Sequence, residues 1–436
     1  MRLPLVYYEE NFMLGHKNTL KKPTLNRFNG GVCLILLGLT IFSPAIFAQE
    51  SLSLNNAISL TLKQHPDLKS FMFKKEAAKG MLEQARIASP ITVNLDVEDM
   101  MGNGGYSGIN GMQTTLSISW LLEGDIIESK VGVANVKLDE YVLDKEIKAL
   151  DVAAETAKIF ITILSQKEQL ILAKLARNNA KDVLHEISIR VKAGKLNVID
   201  ELRAKADLSK KELSVEDLNH EIIASKSQLA AQWQGDSDFD ITGSLLNIPT
   251  AEQLEVAIKR LRSNPRLKTF AFKNRIAEAE IALAKASQNP AWSINTGIRR
   301  HEAVDAFAFT AGLSIPFGGE NRNRGQIIAL QAKQNQAIAD SDALFQRMST
   351  QLLLLTHKLK HNSHIVKGLS NDTIPALEAA NLKAEEAYKK GRYRYTDWYS
   401  IQQDLLVTQS ELINAYTNIQ IFNIELERLT GSSISM

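Results

Sequence analysis

The stretch that decides the fold is Trp398–Leu429, WYSIQQDLLVTQSELINAYTNIQIFNIELERL. At alternating steps of three and four residues it carries an apolar or small side chain, with no proline or glycine in between. These positions are Trp398, Ile401, Leu405, Thr408, Leu412, Ala415, Ile419, Phe422, Leu426 and Leu429. A heptad pattern of this length predicts one long helix that turns the same face toward a partner helix throughout.

The same heptad pattern occurs 197 residues earlier in the chain. There it consists of Ala204, Leu208, Val215, Leu218, Ile222 and Leu229, with Ser225 in the place of Phe422. Each copy follows a predicted glycine turn, at Gly194 and at Gly391. We therefore expect two copies of one elongated unit.

A second pair of matching segments supports an internal duplication. Leu62–Lys74 (LKQHPDLKSFMFK) and Leu261–Lys273 (LRSNPRLKTFAFK) are identical at seven of thirteen positions. The period of about 200 residues is far longer than that of a solenoid repeat, so a whole domain is duplicated. The predicted order is a first repeat over 49–235, a polar linker over 236–250, a second repeat over 251–431 and a short tail over 432–436.

In each copy the hydrophobic period changes from 3.6 to 2 for two short stretches. We predict four strands, at about 91–99, 112–121, 291–299 and 306–316. One face of each is apolar and the other is polar or small, and the length suits a tilted transmembrane strand. Half-buried hairpins of a soluble domain are the alternative. Trp120 and Trp292 favour the membrane, because an up-and-down order puts both at one rim, where an aromatic girdle is expected.

Four strands cannot close a barrel, and lipid tolerates no unpaired backbone edge. Membrane strands would therefore require an oligomer. The polar face is predicted to line a water-filled pore, with Asn94, Asp96 and Glu98 as candidate pore-lining residues. We expect the two carboxylates to make such a pore favour cations.

Long helical stretches follow each strand pair, over 124–192 and over 319–390, the second interrupted at Pro375. The first would be roughly 100 Å long. Each runs to its glycine turn and returns along the heptad helix. Two such hairpins per chain, packed in a ring of several chains, would form a tube.

Residues 1–48 predict a secretory signal, with a basic stretch, an apolar run over 32–42 and a cut near Ala48. An N-terminal anchor or a buried helix is the alternative. The single cysteine, Cys33, lies within this segment, so the mature chain would hold no thiol. The remaining chain has 46 basic and 47 acidic residues, which gives no support to a nucleic-acid partner.

The order of these parts resembles that of the TolC-like outer-membrane efflux family. The resemblance rests on the duplicated Pro-x-Leu helices, the strand pair in each half and two glycine tips, AGKL at 193–196 and KGRY at 390–393. It implies a mainly α fold with a transmembrane β part. Long coiled-coil hairpins would form an α-helical barrel, and a trimer would contribute four strands per chain to a twelve-stranded barrel. Within the family, the sequence looks closest to the heavy-metal cation efflux branch.

The resemblance also implies partners and site residues. The partners are two further copies of the chain, outer-membrane lipid, a periplasmic adaptor and an inner-membrane pump of the proton-driven RND type. The adaptor-docking tips would be Gly194, Lys195, Gly391 and Arg392. The candidates for a periplasmic gate are Asp200, Arg392, Arg394 and Asp397. The alternative for these charged residues is a solvated hairpin turn with ordinary helix capping.

No residue set for catalysis or for a cofactor stands out. His357, His361 and His364 have a spacing that could hold a transition metal, but a polar helix face is the favoured interpretation. There is no Walker A pattern. We expect no enzyme, cofactor or resident metal, but a passive outer-membrane exit duct of a tripartite efflux system. A type I secretion channel for polypeptides and a surface coiled-coil protein remain alternatives.

Overall fold

The computed structural model describes residues 51–246, 248, 254–288, 291–318 and 321–432. The predicted signal segment over 1–48, with Cys33, lies outside the described residues. So do the end of the predicted linker and nearly all of the predicted tail.

The first repeat consists of a short strand, two helices, two strands and two longer helices. Its elements are β1 (Ser51–Leu52), α1 (Leu54–Gln64), α2 (Pro66–Ala85), β2 (Thr92–Glu98), β3 (Gln113–Leu122), α3 (Gly124–Lys192) and α4 (Val198–Ala231). A two-residue strand, β4 (Asp240–Ile241), follows before the second repeat begins.

From its first helix onward, the second repeat has the same order of helices and strands, except that the long helix before the tip is divided into α7 and α8. Its elements are α5 (Leu254–Leu261), α6 (Pro265–Ala286), β5 (Trp292–His301), β6 (Ala306–Ser314), α7 (Arg324–Gly368), α8 (Ile374–Lys389) and α9 (Tyr395–Thr430). The structure places the four long strands within two residues of the ranges expected from the alternating pattern. Every position of both heptad patterns is buried or half-buried, and α9 packs along α3, α7 and α8.

The long helix that leads from the strands to the hairpin tip is continuous in the first hairpin and interrupted in the second. Helix α3 runs for 69 residues without a break. Between α7 and α8 the structure has a π-helical turn, Leu369–Thr373. The turn immediately precedes Pro375, whose ring would clash with the carbonyl four residues earlier in a regular α-helix. The predicted interruption is therefore a local π-helical widening, after which the helix continues as α8.

No helix among the described residues carries an apolar run long enough to cross a membrane.

The largest core lies where α1, the middle of α3 and the end of α4 meet. Phe160, Ile161 and Ile163 of α3 and Leu229 of α4 are completely buried there. A smaller core in the second repeat joins α5, α7 and α9 around Leu352. Each repeat therefore anchors its long helices on its own short first helix.

Part of the segment predicted as a polar linker belongs to the first core. Phe239 and Leu245 are buried in it, and β4 pairs in parallel with β1. Lys167 of α3 binds the carboxylate of Asp240 at 2.8 Å. The prediction missed this packing because the apolar side chains are few and their partners lie far away in the sequence.

A half-buried charge network joins the two repeats. Arg428 of α9 contacts both Asp151 of α3 and Glu425 at 2.9 Å. Arg266 of α6 also binds Asp151, at 2.5 Å, and Lys158 of α3 pairs with Glu425. Although burial opposes ionisation, hydrogen bonds from Lys158 and Arg428 lower the pKa of Glu425. The carboxylate is therefore charged at neutral pH and holds α9 against α3.

Helices α2 and α6 begin with the same cap, made by different residues. The Nδ1 atom of His65 accepts the N–H of Asp67 at 3.1 Å, and Oδ1 of Asn264 accepts the N–H of Arg266 at 2.8 Å. A proline follows each cap at the first helical position, where a missing N–H costs nothing. Only the first cap can be lost by protonation.

Burial lowers the pKa of His65 below its ordinary value. The negative charge of Asp67 opposes this shift, and the positive charge of Lys148 adds to it. The wild type should therefore lose stability as the pH falls through this lowered pKa, because the unfolded chain binds the proton more readily. We expect His65→Asn to keep the cap and remove this pH dependence, and His65→Ala to cost about 1 kcal/mol at neutral pH. Urea unfolding followed by circular dichroism measures both. An equal loss of stability on acidification in wild type and His65→Asn would contradict the prediction.

Candidate functional site

The four long strands form one antiparallel sheet in the order β2-β3-β5-β6. Residues opposite each other in such a sheet share a face. One row across it runs Leu95, Leu116, Ile298 and Phe309. The row beside it, on the other face, runs Asp96, Thr115, Arg299 and Ala308. The register therefore separates an apolar face from a polar one across all four strands.

The apolar face is exposed in the single chain. Phe309 is 91% exposed and Leu95 66%. Trp120 lies opposite Ile294, and Trp292 lies opposite Leu122, so both tryptophans are on this face at the end of the sheet nearest the helices. This surface has the composition of a lipid-facing wall with an aromatic rim.

All three predicted pore-lining residues lie on the polar face. Asn94 is opposite Ser117, Asp96 opposite Thr115 and Glu98 opposite Gln113. Arg299 lies on the same face, and the expectation that the pore favours cations does not count its positive charge. Its guanidinium donates to Thr115 at 2.8 Å and to Gln113 at 3.2 Å, and it pairs with Glu98 at 3.2 Å.

This pair changes the expected electrostatics of the polar face. Of the two carboxylates predicted to favour cations, Glu98 is neutralised within its own chain. In the described part of the sheet, Asp96 takes part in none of the ion pairs. An alternating sequence shows that Arg299 shares the face of Glu98, but the register of β3 is needed to bring the two together.

The two hairpin tips have the same backbone geometry. Gly194 and Gly391 have φ angles of +69° and +73°, which glycine adopts without strain. At the first tip the N–H of Gly194 donates to Val191 and that of Lys195 to Arg190; the second tip repeats both bonds one repeat later. This pair of bonds is a Schellman motif, which satisfies the last carbonyls of a helix.

The four gate candidates lie at these tips. Arg394 and Asp397 bind each other through two hydrogen bonds of 2.8 and 3.1 Å. Arg392 is exposed and Asp200 half-exposed in the first turn of α4. Among the described residues, none of the four forms an ion pair with the other hairpin. An exposed local pair such as Arg394–Asp397 contributes little to stability.

An aromatic cluster that sequence reasoning missed joins the two hairpins above the second tip. Tyr388 stacks on Trp398 with ring centroids 5.1 Å apart, and Tyr395 stacks on Tyr399 at 6.1 Å. From the first hairpin, the guanidinium of Arg190 lies 4.7 Å above the ring of Tyr388. The only sequence signal was the unusual density of aromatic residues around this tip.

The hydroxyl of Tyr399 also crosses between hairpins, because it donates to the carboxylate of Asp207 on α4. Burial, and then this hydrogen bond, raise the pKa of Tyr399 above its ordinary value. The phenol is therefore neutral at physiological pH and remains a donor. The bond links α4 and α9 at positions 13 residues after Gly194 and 8 residues after Gly391.

His357, His361 and His364 are exposed along α7. In the part of the chain that the structure describes, no group of three or more metal-binding side chains is close enough to hold an ion.

No family model matches the chain. It is similar to the cobalt-zinc-cadmium resistance protein CzcC of Cupriavidus metallidurans, with 22% identity over 283 residues, 64% of this chain and 68% of that protein. The solved structure of the outer-membrane channel OprN matches 87% of this chain and 90% of its own, with a TM-score of 0.72 and 15% identity.

The outer membrane protein VceC of Vibrio cholerae matches 88% of this chain and 97% of its own, with a TM-score of 0.69 and 16% identity. CusC, described as forming a transmembrane channel, matches 87% and 92%, with a TM-score of 0.69 and 14% identity. The chain has the TolC-like fold. The resemblance inferred from the sequence is confirmed, and with it a TolC-like mainly α fold that carries a β part.

The TolC-like hairpins of this chain should depend on the Tyr399–Asp207 bond. We expect Tyr399→Phe to destabilise the contact of α4 with α9 by about 1.5–3 kcal/mol, because a half-buried carboxylate loses its donor. Tyr395→Phe is the matched control: its buried hydroxyl has no hydrogen-bond partner in the described residues, so its loss should be nearly neutral. Hydrogen exchange of the amides in both helices measures the difference. Equal effects of the two variants would show that the bond is unimportant.

Proposed function

We propose that this protein is the outer-membrane exit duct of a tripartite efflux system. The observation that carries the proposal is the sheet, which has an exposed apolar face, a polar face and two unpaired edge strands, β2 and β6. From the same end of the sheet extend helices that are far too long for a compact domain. Solved structures with the same fold include the outer-membrane channel OprN and the outer membrane protein VceC.

The open edges support an oligomer. Each edge strand has a row of backbone N–H and C=O groups that must find partners if the apolar face lies in lipid. Copies of the chain can supply them by joining β6 of one to β2 of the next. About eight strands are needed for the smallest filled barrel, and three copies give twelve, which leaves room for a pore.

The dimensions support a duct that spans the outer membrane and the periplasm. Strands of seven to ten residues reach across a thin bilayer when tilted. Helix α3, at 69 residues, extends roughly 100 Å from the membrane. The tips at Gly194 and Gly391 would then lie deep in the periplasm, where a periplasmic adaptor and an inner-membrane pump of the proton-driven RND type can reach them.

The cargo that best fits is a heavy-metal cation, because the relative CzcC is named for resistance to cobalt, zinc and cadmium. The chain would conduct it passively, as a wall rather than as an enzyme. The cross-hairpin contacts of Tyr399 and Tyr388 would hold the periplasmic end closed, together with the gate candidates Asp200, Arg392, Arg394 and Asp397.

Membrane fractionation followed by planar-bilayer recording tests the proposed function. We expect the mature protein in the outer membrane as a heat-dissociable trimer that conducts ions after purification in detergent. Twelve strands around a polar lumen require detergent or lipid on the apolar face. A monomer that stays in solution without detergent would overturn the proposal.

The tips should bind the adaptor through their exposed basic side chains. We expect Lys195→Glu combined with Arg392→Glu to weaken adaptor binding about tenfold or more, since charge complementarity governs such surfaces. The matched control is Lys181→Glu with Lys383→Glu, two exposed lysines further up the same hairpins. Binding of a purified adaptor to the detergent-solubilised trimer measures both. If the control pair weakens binding as much as the tip pair, docking at the tips is wrong.

A further inference from the structure

The charged side chains of the polar face are confined to the loop end of the sheet. Asp96 and Arg299 lie in one row, and Glu98 and His301 lie in the next row toward the loops. Nearer the helices the polar face carries only uncharged residues. They include Thr92, Asn94, Ser117, Ser119, Ser293, Asn295, Gly297, Thr310, Gly312 and Ser314.

Arg299 is held rigidly within this charged end. Two of its contacts are to Thr115 and Gln113 on the adjacent strand β3, and the third is to Glu98 on β2, the strand beyond it. Thr115 is only 5% exposed, so the anchor for the guanidinium is itself fixed. On its other side, the neighbour of Arg299 in the row is the small residue Ala308 of β6.

We propose that Arg299 determines the ion selectivity at the outer end of the duct. Arg299 pairs with Glu98 of the next row, so that of the two carboxylates on the described polar face Asp96 is the one outside this ion pair. Asp96, Glu98 and Arg299 together then contribute a net charge of about −1 per chain to the polar face, and without Arg299 about −2. The inference rests on the proposed function, in which three copies arrange these residues as a ring around the lumen.

A ring of this kind acts on ions through its summed potential. Charges that line a narrow, low-dielectric wall concentrate counter-ions near them, and the effect grows as salt is diluted. The duct should therefore be mildly selective for small hydrated cations. Removing the arginine should increase this selectivity, and removing Glu98 should abolish most of it.

Arg300 provides a matched control for Arg299. It is the next residue on the same strand, so its side chain lies on the apolar face, where it pairs with Glu302 at 2.8 Å and with Asp305 at 3.1 Å. Loss of Arg300 removes the same charge at the same height of the sheet, but on the outside of the proposed wall.

The test is the reversal potential of purified trimers in a bilayer under a potassium chloride gradient at low salt. We expect Arg299→Gln to raise the cation-to-anion permeability ratio about twofold or more, and Glu98→Gln to lower it by a similar factor. The double variant restores the net charge of the ring and should return to the wild-type ratio. Arg300→Gln should leave the ratio unchanged.

The outcomes separate this inference from the proposed function. A conducting trimer whose ratio does not respond to Arg299→Gln overturns the role of Arg299 and leaves the duct intact. A response to Arg300→Gln in place of Arg299→Gln means that the apolar face lines the lumen, and it overturns both. Should Arg299→Gln fail to assemble, Glu98→Gln decides alone, because an unchanged ratio there is equally contrary to the inference.

Discussion

The structure depends on one constraint: a sheet with an apolar face and two open edges cannot stand alone in water or in lipid. In the proposed duct the apolar face lies in lipid, where each backbone group at an edge needs a partner. The register of the four strands keeps the apolar side chains together on one face, because a slip of one residue would move every side chain of a strand to the opposite face. In the proposed duct, oligomerisation therefore follows from the sheet and not from any special contact.

The helices extend this sheet, and none of those that the structure describes carries an apolar run long enough to cross a membrane. Their heptad faces bury modest apolar and small side chains against neighbouring helices, which suits long paired helices rather than a thick core. Rigid packing is concentrated where each repeat folds its short first helix against the long ones, around Phe160 and Leu352. The charge network of Arg428 then joins the repeats at one place along their length.

The two repeats share the backbone geometry of their hairpin tips and helix caps, but different residues form some of these features. Both tips keep a glycine with positive φ and the same two backbone bonds, because the chain reverses direction there in the same way. The caps differ, with His65 in one copy and Asn264 in the other. The second tip carries aromatic residues that contact the first hairpin, so the two copies are alike in backbone and unequal in their side-chain contacts.

The sequence by itself determined the repeat, the long helices, the four strands and the two faces of the sheet. Each of these features depends on hydrophobic periodicity within a short window of sequence, which can be read without knowing which distant segments pack together. Only the tertiary structure decided that Arg299 neutralises Glu98, that Tyr399 binds Asp207 and that part of the predicted linker packs into the first core. The partners in these contacts come from separate elements, as far as 201 residues apart for Glu98 and Arg299. Periodicity assigns a residue to a face, but strand register and helix packing choose its neighbour.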